Sequence, residues 1–535
     1  MESKGRLQCL IILALLALQQ HQITSASPLV TKDQWILNST DHQRISLKCA
    51  NWYGAHQELH VVGGLELRSV SQLADLFQAS GANCVRLPYS VEMVKYNPRV
   101  NPAAIAGILP TDNCNSTLRA LDVMDCVVAH LQSRGILIIF NNHNSRSSWV
   151  GAGAVNNKQG LWNVPGYSTE DWIQSMEAIT RRYKIAGMDL RNEIHDHGGV
   201  KITWGKTNNV DTDWLAASTA AYERLYQVDP DILAIVGGLC WNTDIRTMMQ
   251  NVGPLRAFKN KKLVYTVHIY TFSFWWNDQA VLRDVITPLS IWLFLFCLFA
   301  GIACLYNLYA VRSASKEYNF LYKQLELSEY PSSERRGEVY ARRQFWPNTA
   351  WAVVSTSIIF SAGWLALSIF YYNTATTAGC SSFAEDAVWL IVMASITTVL
   401  ALCVGLGWVY SRHEVKWLPV LTFGLLWLSL FCLCIFALGS YLASHASYTD
   451  SLGSWSLDNR PVPVWVGEFG TGNPNEPIFK LIWDFIHTKY DLDFAYWAFN
   501  GRKWWDGAWE SESFGLMNDQ YSDWRFPQFM HAMFQ

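Results

Sequence analysis

A chain of 535 residues exceeds one ordinary domain, and its charged residues make up only 16% against roughly 25% in soluble globular proteins. With half of the residues hydrophobic, that deficit points to membrane spans. A net charge of −3 offers no basic surface, so no nucleic-acid partner is expected.

At the N-terminus, Lys4 and Arg6 precede an apolar run at 9–18 and a small-residue stretch around Thr24-Ser25-Ala26. The run is too short to cross roughly 30 Å of hydrocarbon, so residues 1–26 read as a cleaved secretory signal peptide. Sequons at Asn38-Ser39-Thr40 and Asn115-Ser116-Thr117 make Asn38 and Asn115 candidate glycosylation sites. Cys49, Cys84, Cys114, Cys126, Cys240 and Cys380 would meet an oxidising compartment. Cys114 and Cys126 flank a short polar segment and are the first pair to consider; the other pairings stay open. No Cys/His spacing suggests zinc, and no metal or other cofactor is expected. The run His195-Asp196-His197 reads as a polar surface loop.

Short branched and aromatic runs alternate with helix-like segments, a pattern of βα units around a parallel sheet. Six candidate strands occupy 45–50, 84–88, 136–141, 186–192, 232–237 and 263–269, spaced at about the length of a βα unit. Two more follow much later, at 464–467 and 494–498. No dinucleotide fingerprint or P-loop follows the first strand, which weakens an open doubly wound sheet.

Between strands six and seven lie four apolar stretches, 288–311, 350–372, 387–410 and 417–443, none containing a charged residue or histidine. Each is long enough for a spanning helix. The connection holding Arg312 through Arg343 is basic, as is the short one with Arg412 and Lys416, whereas 373–386 holds no basic residue. The positive-inside rule therefore places both flanks of the block outside, in agreement with the signal and the sequons. The absence of intramembrane ionisable groups favours an anchor over a transporter. An even number of spans returns the chain to the side it left, so 27–278 and 451–535 can build one domain. Together they hold roughly 340 residues, within the range of a (β/α)8 barrel. The expected architecture is an α/β (β/α)8 barrel interrupted by a four-helix transmembrane insertion at 279–450.

Glu193 closes the fourth predicted strand and Glu468 the seventh. A carboxylate at the tip of an apolar run is costly without a purpose, and barrel active sites form at strand C-termini. A pair of such groups suits glycosidic hydrolysis, which needs one carboxyl group to protonate the leaving oxygen and another to attack or stabilise the oxocarbenium ion.

The motifs around them are similar to those of glycoside hydrolase family 5, the cellulase family. They are Arg86 in Val85-Arg86-Leu87-Pro88, His143 in Asn141-Asn142-His143, the pair Asn192-Glu193, His268-Ile269-Tyr270, Trp465-Val466-Gly467-Glu468-Phe469-Gly470, and Trp497. The resemblance implies that Glu193 is the acid/base and Glu468 the nucleophile of a retaining enzyme, with carboxylates about 5–5.5 Å apart. It implies that Arg86 and Tyr270 hold Glu468 ionised, that Asn192 binds the sugar 2-hydroxyl and that Trp497 is a floor for the ring. Ile194 stands where many members have proline, and Asn144-Ser145-Arg146-Ser147 also departs from common cellulases. Tryptophans 149, 162, 241, 275, 276, 504, 505 and 509 follow strand ends and are candidate sugar platforms.

The leading expectation is an endo-β-1,4-glucanase, membrane-anchored, with its barrel on the extracellular or lumenal side. Action on another β-glucan or a glycosphingolipid, by hydrolysis or transglycosylation, is the enzymatic alternative; a non-catalytic glycan receptor is the other.

Overall fold

The computed structural model describes residues 28–114, 118–149, 160–245, 248, 262–270 and 462–535. The chain divides into two compact units: Met1–Ser273 with Ser447–Gln535, and Phe274–Ala446. The second lies outside the described residues, and so do the four expected spans, the signal segment and Asn115. Among the described residues no helix is long and apolar enough to cross a membrane.

A hairpin comes first, β1 (Leu29–Lys32) and β2 (Trp35–Asn38), paired antiparallel. Eight strands then close a barrel: β3 (Lys48–Asn51), β4 (Cys84–Ser90), β5 (Leu137–Asn144), β6 (Gly187–Asp189), β7 (Leu233–Gly237), β8 (Leu263–Tyr270), β9 (Val464–Gly470) and β10 (Asp493–Tyr496). Every neighbouring pair is parallel, and β10 closes on β3 through Phe494↔Lys48 and Tyr496↔Ala50. The stretches before residue 271 and after residue 461 thus form one sheet.

Leu29 and Ile36 of the hairpin join Leu47, Cys49, Cys84, Ile139, Leu233, Val264 and Trp465 in one buried cluster. Outer helices carry sequence-legible starts: Ser69 and Ser168 cap Val70–Ala79 and Thr169–Arg182 with reciprocal capping boxes. Asp213 caps Trp214–Val228, accepting from the Leu215 and Ala216 amides. Disulfides join Cys114 to Cys126, the pair favoured by spacing, and Cys49 to Cys84 across β3 and β4; Cys240 is also disulfide-bonded.

The strand bounds differ from the apolar pattern in an instructive way. β5 runs on through Asn141-Asn142-His143-Asn144, and β9 runs on to Gly470, because these strands end in polar residues that are themselves buried. β6 instead stops at Asp189, three residues short of the expected end at 192. The first strand begins at Lys48 rather than at 45, and the last ends at Tyr496 rather than 498.

Candidate active site

Arg86, from the middle of β4, is the hub of the strand C-termini. Its guanidinium is wholly buried and donates to Glu468 Oε1 at 2.5 Å, Asp189 Oδ2 at 2.9 Å, Asn51 Oδ1 at 2.9 Å and Asn192 Oδ1 at 2.9 Å. Burial works against its charge, but Asp189 and Glu468 more than offset that, and its pKa lies above the ordinary value.

Glu468 is 4% exposed at the head of β9, with Tyr270 donating to its second oxygen at 2.9 Å. Burial pushes its carboxyl above the ordinary value, while His268 and Arg86 pull it back. The expectation that Arg86 would lower this group is therefore only half of the balance; desolvation outweighs the cation here.

Glu193 sits just beyond β6 with φ 44°, a left-handed conformation that costs a residue with a Cβ. The surrounding chain fixes that conformation. Asn192 N–H donates to Asn142 O at 2.9 Å, Trp241 N–H donates to Ile194 O at 2.8 Å, and His195 Nδ1 lies 2.7 Å from Glu193 O. Burial pushes the Glu193 carboxyl up to about 7. Its Oε1 lies 2.9 Å from His268 Nδ1, and His268 itself is pushed down to about 3 by burial, so its ring is neutral at working pH.

One oxygen each from Glu193 and Glu468 and a ring nitrogen of His268 lie within 4.8 Å of one another. That nearest approach is closer to the roughly 5–5.5 Å of a retaining pair than to the roughly 6.5–9.5 Å that admits an inverting water. Three such groups resemble a metal site in outline. The buried Arg86 cation 2.5 Å from Glu468 opposes a second cation there, and Glu193 already faces His268. No metal role is assigned to them. The loop His195-Asp196-His197 is likewise engaged by protein: the His195 ring stacks on Trp241 at 3.4 Å and Asp196 accepts from Ile202 N–H.

Trp497 follows β10 with its ring parallel to Tyr53 at 4.6 Å and to His143 at 5.8 Å. His143 Nδ1 lies 2.7 Å from Asn141 Oδ1, and burial, with His56 and Arg86 adding to it, keeps its pKa well below the ordinary value. Trp149 packs edge-on against Trp497 at 6.4 Å and against Trp505 at 5.6 Å. Trp504, Trp505 and Trp509 belong to a hairpin beyond the barrel, β11 (Arg502–Trp505) and β12 (Ala508–Ser511). Trp162 is not a platform: it is fully buried against Trp172 and Trp214, because its segment turns inward under the helices. Trp275 and Trp276 lie outside the described residues.

The structure thus brings together Arg86, His143, Asn192, Glu193, His268, Tyr270, Glu468 and Trp497. Sequence reasoning did not single out Asn51 and Asp189, which hold Arg86, or Tyr53, which bonds Glu512 beneath Trp497. Asp189 had a signal, a carboxylate inside an apolar strand; Asn51 and Glu512 had none. Asn38, the glycosylation candidate, is half-buried at the end of β2.

Comparison with known proteins gives similarity to one enzyme family. Residues 47–294 match the cellulase family, glycosyl hydrolase family 5. Among curated relatives, a glycosyl hydrolase 5 family protein from Chamaecyparis obtusa is 27% identical over 289 residues, 51% of this chain and 48% of that protein. An endoglucanase from Paenibacillus polymyxa is 28% identical over 247 residues, 43% of this chain and 58% of that protein. The chain spans about half the length of these relatives. A solved structure, the cellotetraose complex of an endocellulase from Pyrococcus horikoshii, aligns over 96% of this chain and 100% of that one with TM-score 0.50 and 16% identity, a likeness of fold.

Proposed function

We propose that this chain is a retaining β-glycan hydrolase, acting most readily as an endo-β-1,4-glucanase. The observation that carries the reading is the pair Glu193 and Glu468, close together but set in unlike surroundings. Glu193, pushed up to about 7, holds a proton at mildly acidic pH, whereas Glu468 is ion-paired with Arg86. Divergent environments for two neighbouring carboxyl groups are what an acid and a nucleophile need.

In the first step Glu468 attacks the anomeric carbon while Glu193 gives its proton to the departing oxygen, leaving a glycosyl ester on Glu468. In the second, water attacks the same carbon, Glu193 takes the water's proton and the ester bond breaks. Asn192 Oδ1 accepts from Arg86, which leaves the Asn192 Nδ2 group to donate to a sugar hydroxyl. Trp497, held flat by Tyr53, offers the apolar face against which a pyranose ring stacks.

The membrane anchor belongs to the same proposal. The four uncharged stretches between 288 and 443, the basic connections and the sequons support a multi-pass chain with an extracellular or lumenal barrel. A membrane-proximal substrate such as a glycosphingolipid then becomes the second reading.

The test is an activity panel of β-1,4-glucan, other β-glucans, β-mannan and glycosphingolipid with the full chain, using Glu468→Gln as control. Turnover of β-1,4-glucan by the wild type, lost in the variant, is the expected result. Turnover of glycosphingolipid alone would transfer the reading to the second substrate. A wild type that binds glycan without turnover would leave a receptor.

A further inference from the structure

The catalytic carboxyls have a supporting residue in the segment after a strand that supplies neither of them. β7 ends at Gly237, and the loop that follows holds three successive residues with left-handed backbone: Cys240 (φ 51°), Trp241 (φ 60°) and Asn242 (φ 58°). Each costs a residue with a Cβ, so three in a row signal a conformation imposed by what the loop must reach. Two of its contacts lead to Glu193. Trp241 N–H donates to Ile194 O, and the Trp241 ring stacks on His195, whose Nδ1 faces Glu193 O.

Asn242 makes the third contact. Its side chain is fully buried, with Nδ2 lying 3.4 Å from His268 Nε2, on the side of the ring away from Glu193. Room for the amide exists because Gly237 lacks a side chain: a Cβ there would come within 2.4 Å of Asn242 Oδ1. Among the described residues Asn242 Oδ1 finds no hydrogen-bond partner, so the buried amide is held against its own satisfaction.

The consequence is a choice of tautomer. A neutral imidazole has one donor and one acceptor nitrogen, and the bond made at one fixes the role of the other. With Asn242 Nδ2 donating to Nε2, the ring hydrogen resides on Nδ1 and points at Glu193 Oε1. Oε1 is then an acceptor throughout, and the transferable proton of Glu193 is confined to Oε2. We propose that Asn242 is a positioning residue for proton transfer, acting through His268 to keep the Glu193 proton on the oxygen that serves the glycosidic bond. This rests on the retaining-hydrolase reading. Among the described residues, the other charged and titratable groups acting on His268 are Glu468 at 3.5 Å, Arg86 and His143.

The test compares kcat/KM for two aryl β-cellobiosides on the full chain, one with a poor leaving group and one with 2,4-dinitrophenolate, which departs without acid help. Asn242→Leu should lose about tenfold to a hundredfold on the poor leaving group and stay within about threefold on the activated one. Asn242→Asp presents only acceptors, forces the hydrogen onto Nε2 and turns Nδ1 toward the Glu193 proton. It should show the same leaving-group dependence, with the basic limb of the pH profile moved up by about one unit or more. Thermal unfolding of both variants separates misfolding from the effect. Equal losses on the two substrates, or an unmoved basic limb in a folded Asn242→Asp, would overturn the proposal. A wild type that cleaves neither substrate would instead bring down the hydrolase reading on which it rests.

Discussion

Glu193→Gln should make the protein more stable, and more so as pH rises. The Glu193 carboxyl is pushed from its ordinary 4.5 to about 7 by burial beside the barrel mouth. Below about pH 4 both folded and unfolded chains hold its proton, and the group is neutral to stability. Between about pH 4.5 and 7 the unfolded chain has released the proton that the folded chain keeps, so folding becomes progressively less favourable as pH rises. At about 1.4 kcal/mol per unit, the full penalty is about 3 kcal/mol above pH 7. Glutamine is isosteric, has no charge to desolvate and avoids that penalty. Thermal unfolding of wild type and variant at pH 4 and pH 8 should show coincident midpoints at pH 4. At pH 8 the variant's midpoint should be higher by roughly 5 °C. A shift of equal size at both pH values, or a destabilised variant at pH 8, would refute burial as the origin of the raised pKa.

Three further outcomes follow from the same contacts. The kcat/KM of the wild type should fall above about pH 7 as Glu193 loses its proton, and Glu193→Gln should lack that limb on an activated aryl glycoside; a limb that persists would assign it to another group. Arg86→Met leaves Asp189 and Glu468 buried without their cation and should lower stability by about 3–5 kcal/mol in denaturant unfolding, where a loss under 1 kcal/mol would mean that the ion pairs are not formed. Trp505→Ala removes the outer ring packed on Trp149 and should raise KM for long oligosaccharides several-fold while leaving short aryl glycosides unchanged, an effect that oligosaccharide-length kinetics would detect.

The barrel was legible because its strands alternate with amphipathic helices and because the motif residues recur at successive strand ends. The strand tips were the hard part. His143 and Asn144 lie inside β5, yet hydropathy ends that strand at 141, since burial of polar side chains there is sustained by the site's own hydrogen bonds. Glu193 was readable as a carboxylate beyond a strand, but not its left-handed backbone, which is held by contacts of Asn192, His195 and Trp241, those of Asn192 and Trp241 joining residues far apart in the chain. Trp162 failed as a sugar platform because position after a strand says nothing about whether a ring turns outward or, as here, into a three-tryptophan core. Asn242 and Asn51 carry no local signature: their importance comes from Arg86 and His268, which the fold alone brings to them.

The retaining geometry is tested most directly by following the anomeric proton of the first product with NMR during early turnover of a β-linked oligosaccharide. With one oxygen of each carboxyl group within 4.8 Å of the other, the spacing favours direct attack by Glu468, so the β-anomer should appear first and mutarotate later to α. Initial release of the α-anomer would mean direct attack by water and would contradict Glu468 as the nucleophile.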